Sequence, residues 1–295
     1  MSERITGIFA PNLVPLDEHG RINEPELRRF IDWLIDHGVH GLFVNGSTGE
    51  FPRFTEEERR RTVQIVCEQV NRRVPVIAGA SEAHVRETLR ACETYLGYGA
   101  RAAAIVPPCY FKPSQQAIEA YFREIAAQSP IDLLLYNIPA FTAAMSLETI
   151  RRLAALPRVI GIKESSGDIG FMLRLLATVR QDRPQFSVLT GSEAVLVPML
   201  LTGVDGGTHS TANVVPEVMR KMYDLVRAGQ VQSAQGLQLR LLELLDALVA
   251  VEFPEGFRLA ASIRGFRMGR GRQPMPPPHF DAVHVRGLID ELLRA

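Results

Sequence analysis

The chain has 295 residues, 46% of them hydrophobic and 22% charged, which excludes a disordered chain. Basic and acidic residues both number 33, so a net charge of zero leaves no electrostatic footprint for nucleic acid or for an anionic membrane surface. No apolar run reaches the ~18 residues of a transmembrane helix, and three scattered cysteines, Cys67, Cys92 and Cys109, fit neither a disulfide framework nor a zinc site.

The first twenty residues carry Glu3, Arg4, Asp17, Glu18 and two prolines, with no signal-peptide hydrophobic region, so a cytoplasmic, reducing location is expected. Ile5–Phe9 predicts a first strand. Asn23, with Pro25 in the following turn and Leu27, Phe30, Ile31, Leu34 and Ile35 along one face, predicts a helix that stops at Gly38. A strand at Gly41–Val44 precedes a helix opened by Thr55-Glu56-Glu57-Glu58, a capping box, with Val63, Val66, Cys67 and Val70 on one side. Strand Val74–Ala78 leads to helix Val85–Leu96, and strand Ala102–Val106 to helix Gln115–Ala127. Strand Leu133–Tyr136 leads to helix Leu147–Leu156, and strand Val159–Lys163 to helix Ile169–Arg180. Strand Phe186–Leu189 precedes helix Glu193–Leu201, and strand Gly206–Thr208 precedes helix Glu217–Arg227.

Most of these strands are near-continuous apolar runs, as parallel strands buried on both faces should be. Eight strand–helix pairs over residues 1–228 predict a (β/α)8 TIM barrel. A doubly wound open sheet is the alternative, but the Gly-x-Gly-x-x-Gly turn of its dinucleotide site is missing. Residues 229–295 carry no strand signal. Helical patterns at Gln232–Val251, Gly256–Met268 and Ala282–Leu293, with a proline-rich break at Pro274–Pro278, predict a C-terminal helical segment.

In such a barrel the reactive groups sit at the C-terminal ends of the strands. Only three of the 33 basic residues are lysines: Lys112, Lys163 and Lys221. Arginine therefore serves wherever a generic cation will do. Lys112 lies in a loop beside Pro113 and Lys221 on a helix beside Arg220, whereas Lys163 ends the apolar strand Val159-Ile160-Gly161-Ile162-Lys163. A lysine directed into a barrel loses hydration as an ammonium, so the free amine becomes available to condense with a ketone or aldehyde, which a guanidinium cannot do. The competing reading is an ion pair with Glu164, which requires the chain to have left the strand, since adjacent strand residues face opposite ways.

Tyr136 ends the preceding strand, before Asn137-Ile138-Pro139, and a phenol beside Lys163 can relay protons. After the second strand, Gly46-Ser47-Thr48-Gly49-Glu50 forms a small-residue turn whose amides and hydroxyls suit a carboxylate, although such turns are common. Pro107-Pro108-Cys109-Tyr110-Phe111-Lys112-Pro113 holds a second tyrosine in a stiff loop. Gly206-Gly207-Thr208-His209-Ser210-Thr211 closes the eighth strand, as a phosphate cradle or as close packing at the barrel closure. No metal is expected, because the seven histidines lack ligand spacing; His37 and His40 flank Gly38 as surface residues. Trp33 and the leucine stripe of Leu237–Leu248 read as core or subunit-interface residues.

The runs Gly46–Glu50, Tyr136-Asn137-Ile138-Pro139 and Gly161-Ile162-Lys163-Glu164, with Pro113-Ser114 and Thr211-Ala212-Asn213-Val214, resemble the dihydrodipicolinate synthase / N-acetylneuraminate lyase family over essentially the whole chain. The resemblance implies a cofactor-free class I pyruvate lyase on a TIM barrel, assembled as a homotetramer of tight dimers. It implies that Lys163 is the Schiff-base lysine and Tyr136 the proton-relaying tyrosine. Ser47 and Thr48 match the loop that binds pyruvate's carboxylate, with Ser47 also in the relay. Tyr110 matches the relay tyrosine that reaches into a neighbouring subunit's site, and Thr208 the position whose backbone lines the pyruvate pocket.

One position departs from the pattern. Members that make dihydrodipicolinate carry an arginine shortly after the catalytic tyrosine, to hold the aldehyde's carboxylate. Here the run is Pro139-Ala140-Phe141-Thr142, and a phenyl ring cannot form a bidentate carboxylate pair. The run is more similar to those of sialic-acid lyases and 2-keto-3-deoxy-sugar-acid aldolases, and the Gly46–Phe51 and Tyr110–Ser114 runs lean towards the latter. The expected reaction is therefore cleavage or formation of a 2-keto-3-deoxy sugar acid from pyruvate and an aldehyde. The alternatives are dihydrodipicolinate synthesis from pyruvate and aspartate semialdehyde, or a keto-acid dehydratase or hydratase using the same iminium. A silent keto-acid sensor is disfavoured by intact Lys163 and Tyr136, and a metal-dependent aldolase by the lack of a ligand cluster.

Overall fold

Eight strands close into a parallel barrel in chain order: β1 (Gly7–Ala10), β2 (Gly41–Val44), β3 (Val76–Gly79), β4 (Ala102–Ile105), β5 (Leu133–Asn137), β6 (Val159–Glu164), β7 (Ser187–Thr190) and β8 (Gly206–Thr208). Between and after them run α1 (Glu24–Asp36), α2 (Glu56–Val70), α3 (Val85–Tyr98), α4 (Gln115–Gln128), α5 (Leu147–Ala154), α6 (Ile169–Asp182), α7 (Leu196–Thr202) and α8 (Pro216–Arg227). The C-terminal helices are α9 (Val231–Val249), α10 (Glu255–Ile263) and α11 (Ala282–Arg294). This computed structural model describes residues 4–276 and 278–295, so Pro277 of the expected proline-rich break, like Glu3, lies outside the described residues.

The architecture is the TIM barrel that the alternation predicts, followed by a helical segment. Every strand residue is buried, which is why the strands read as apolar runs without a polar alternation. The helix starts follow their caps. Asn23 accepts from the Glu26 amide, Thr55 and Glu58 form the reciprocal capping box, and Ser114, Ser146 and Asp168 cap α4, α5 and α6.

Two helices differ from expectation. The first turn of the seventh, Glu193–Val195, is a 3-10 turn ahead of α7. The pattern expected to run to Met268 stops at Ile263, because Gly265 takes a left-handed φ of 93° and turns the chain back, its amide bonded to the Ser262 carbonyl at 3.0 Å. Beyond that turn the Met268 carbonyl accepts from Arg258 of α10 at 2.7 Å and from the Leu16 amide at 3.0 Å.

By contact the chain divides into two units: Met1–Gly7 with Ile77–Thr208, and Ile8–Val76 with His209–Ala295. In the first, β4 to β8 pair in parallel, β5 and β6 with a register shift between Leu133 and Leu134, and Tyr136 lies opposite Lys163 and Asn137 opposite Glu164. Gly206 passes so close to Gly7 that a Cβ would fall 2.0 Å from the Gly7 carbonyl oxygen, so its glycine serves close packing there. In the second, Phe9 of β1 lies opposite Gly41 of β2, and Phe30, Trp33 and Phe266 form an aromatic cluster. The α9–α11 segment packs within this unit, α9 against α8.

Candidate active site

Because side chains alternate along a strand, Lys163 and Glu164 at the end of β6 face opposite ways. The strand continues through Glu164, so the ion pair that would have made Lys163 structural does not form its setting. Glu164, fully buried, accepts from Asn137 Nδ2 at 3.1 Å, the Ser166 amide at 2.9 Å and Ser166 Oγ at 3.0 Å. Burial pushes its carboxyl above the usual range. Asn137 Oδ1 in turn accepts the Met145 amide at 3.0 Å, tying the loop after Tyr136 to the same buried network.

On the other face, Lys163 and Tyr136 are each 4% exposed. Lys163 Nζ donates to Tyr136 Oη at 3.0 Å and lies 4.2 Å from the centre of the phenol ring. The strand register delivers this pair, since Tyr136 on β5 is the direct partner of Lys163 on β6. Gly191, after β7, makes room beside it. A Cβ there would lie 3.2 Å from Lys163 Cε and 1.9 Å from Ser165 Oγ. An amine held against a phenol can exchange a proton with it in either direction, which Schiff-base chemistry needs.

In the second unit, the Gly46–Glu50 turn closes with the Glu50 amide on the Ser47 carbonyl at 3.0 Å. Ser47 is half-buried, whereas Thr48 is buried and its Oγ1 shares a hydrogen bond with Ser210 Oγ at 2.8 Å. Ser210 lies in the run Gly206–Thr211, but sequence reasoning did not select it. Nor did it select Glu50, whose buried carboxylate pairs with Arg53 and Arg258. An arginine in the apolar stretch of α10, among Phe257, Ala260 and Ala261, was the available signal.

Thr208, at the end of β8, is buried, and among the described residues its Oγ1 has no hydrogen-bond partner. Tyr110 is placed differently from the others. It is 95% exposed, with a left-handed φ of 72°, and its ring meets Phe111 edge-on at 5.1 Å. Phe141 is 61% exposed. His37 and His40, expected at the surface, are half-buried. His40 Nδ1 accepts the Ile8 amide at 3.0 Å, with burial pushing its pKa down, and His37 Nδ1 bonds the Trp33 carbonyl at 2.7 Å. Among the described residues no group of three His, Cys, Asp or Glu side chains could hold a metal ion, and no helix is long and apolar enough to cross a membrane.

The family model of the dihydrodipicolinate synthetase family matches residues 4–284. The chain belongs to that family. Its members are pyruvate-dependent lyases of the aldolase type, and so is this chain. Among its relatives, a 4-hydroxy-tetrahydrodipicolinate synthase of Acidiphilium cryptum is 36% identical over 272 residues, 92% of each chain. A dihydrodipicolinic acid synthase family protein of Escherichia coli K12, solved in complex with pyruvate, superposes with a TM-score of 0.89 at 29% identity, covering 98% of this chain and 99% of that one. A dihydrodipicolinate synthetase-like structure from Pseudomonas aeruginosa gives a TM-score of 0.91 at 27% identity, with the same coverage.

Proposed function

We propose that the chain joins pyruvate to an aldehyde through an iminium on Lys163, and that the aldehyde is aspartate semialdehyde, giving 4-hydroxy-tetrahydrodipicolinate. The observation that carries the chemistry is the buried 3.0 Å contact between Lys163 Nζ and Tyr136 Oη. The amine attacks C2 of pyruvate, and loss of water leaves the iminium. Removal of a C3 proton gives the enamine, whose carbon adds to the aldehyde carbonyl while Tyr136 supplies the proton to the new alkoxide. The semialdehyde's own amine then attacks the iminium carbon and displaces Lys163, closing the ring.

Ser47 and Thr48 are assigned to pyruvate's carboxylate, Ser47 also to the proton relay, and the Thr208 backbone to the pocket lining. Tyr110 is assigned to the site of a second subunit in a homotetramer built from dimers. Its 95% exposure and left-handed backbone support that assignment. The three unbridged cysteines support a reducing cytoplasm.

The aldehyde is where the relatives and the sequence motif part company. The names of the relatives favour aspartate semialdehyde over the sugar-acid reading that Phe141 suggested. Phe141, exposed in the loop after Tyr136, still favours a second reading, an aldehyde without a carboxylate at that end. Rates with aspartate semialdehyde and with sugar-derived aldehydes, each with pyruvate, separate the two. The proposal expects the highest kcat/KM with the semialdehyde; a higher value with a sugar-derived aldehyde contradicts it.

A further inference from the structure

Arg258, on α10, is 1% exposed, and its guanidinium joins three distant segments. Nη1 donates to the Val14 carbonyl at 3.0 Å and to the Met268 carbonyl at 2.7 Å. Nη2 donates to Glu50 Oε1, while Glu50 Oε2 accepts from Arg53 at 2.6 Å. Nε lies 3.6 Å from the Glu255 carboxylate. A planar fork that engages two carbonyls and a carboxylate fixes orientation as well as distance.

Glu50 is the last residue of the Gly46–Glu50 turn. Its φ of 57° is left-handed, a conformation that a non-glycine residue keeps only when its surroundings impose it. The turn has little slack elsewhere. A Cβ on Gly49 would stand 3.0 Å from the Asn12 carbonyl oxygen, and Thr48 is tied to Ser210. The anchor at its far end comes from the helices beyond the barrel.

We propose that Arg258 is a positioning residue for pyruvate: through Glu50 it holds the Gly46–Glu50 turn in the conformation in which Ser47 and Thr48 receive the substrate carboxylate. The inference rests on the assignment of that turn to the carboxylate. It gives the C-terminal helical segment a part in the reaction.

The test compares Arg258→Lys, Glu50→Gln, Ser47→Ala and the double variant Arg258→Lys/Ser47→Ala in steady-state kinetics. Arg258→Lys keeps the charge but loses the fork, and Glu50→Gln keeps the shape but loses the charge. Each should raise the KM for pyruvate about tenfold and lower kcat less than Ser47→Ala does, since the turn loses its alignment while the Ser47 hydroxyl is kept. Ser47→Ala should raise the same KM, and the double variant should add no more than about twofold to it, because both act on one turn.

An unchanged KM in Ser47→Ala overturns the assignment of the turn, and the inference with it. A raised KM in Ser47→Ala beside normal values in folded Arg258→Lys and Glu50→Gln overturns the inference alone. So do fully additive effects, or failure of both Arg258→Lys and Glu50→Gln to fold, which would make Arg258 a structural residue only.

Discussion

Tyr136 and Tyr110 are both assigned to proton transfer, yet they occupy opposite kinds of structure. Tyr136 is 4% exposed on a barrel strand, fixed by the ladder that also fixes Lys163. Tyr110 is 95% exposed on a loop in a left-handed conformation, which costs a non-glycine residue about 1–2 kcal/mol. A strand end can complete a site within one chain, because its neighbours are set by the fold. An exposed side chain on a loop gets no such neighbours from the fold; under the proposed assembly a second subunit would supply them. The comparison separates what the barrel provides from what the proposed assembly would add.

Tyr136→Phe offers the strongest break in that comparison. It removes the hydroxyl 3.0 Å from Lys163 and should lower kcat by ~10²–10⁴-fold while the barrel remains folded. A loss of only a few-fold, measured by steady-state kinetics, would remove Tyr136 from the relay.

Tyr110→Phe should cost less, about 10²-fold, at the lower end of what proton-transfer groups supply. Mixing Tyr110→Phe with Lys163→Ala subunits should restore activity, since a two-fold dimer can pair an intact lysine with the other chain's tyrosine. Heterodimers that form and stay inactive would return Tyr110 to its own chain.

Phe141 tests the loop side of the comparison at the substrate. Phe141→Arg supplies a fork for a carboxylate and should raise kcat/KM for aspartate semialdehyde by about tenfold or more, the value of a charged hydrogen bond. An unchanged value would mean that the semialdehyde's carboxylate is held elsewhere.

The smallest effect concerns the cap of α2. The Arg272 side chain, bonded to Glu58, holds that carboxyl down at about 2, from an ordinary 4.5. A lowered folded-state pKa stabilises the protein above the unfolded value and loses that contribution as pH falls through the folded one. Glu58→Gln keeps the capping oxygen, so it should lower Tm at pH 7 by a few degrees at most. The difference from the parent should shrink below pH 4.5 and vanish only below about pH 2. A difference that persists there would mean that the charge is not its source.

The barrel was legible because buried parallel strands and amphipathic helices have different periods, and because Asn23, Thr55, Ser114, Ser146 and Asp168 mark helix starts. Lys163 was legible by rarity, a lysine ending an apolar strand in a chain that otherwise uses arginine. Arg258 was legible only in part. Its place among Phe257, Ala260 and Ala261 of α10 marks it as buried, but not what it binds, because its partner Glu50 is 208 residues away. Ser210 meets Thr48 across 162 residues, and the left-handed φ of Tyr110 leaves no mark in its proline-bracketed loop. The end of α10 was missed because the apolar pattern continues to Phe266 and Met268 past the Gly265 turn.

The central claim is that Lys163 carries the substrate. Borohydride reduction in the presence of pyruvate, followed by peptide mass analysis, should find the reduced pyruvyl adduct on the peptide containing Lys163. It should find none in Lys163→Arg, whose guanidinium stays protonated. An adduct on Lys112 or Lys221, or turnover by Lys163→Arg at the parent rate, would contradict the account.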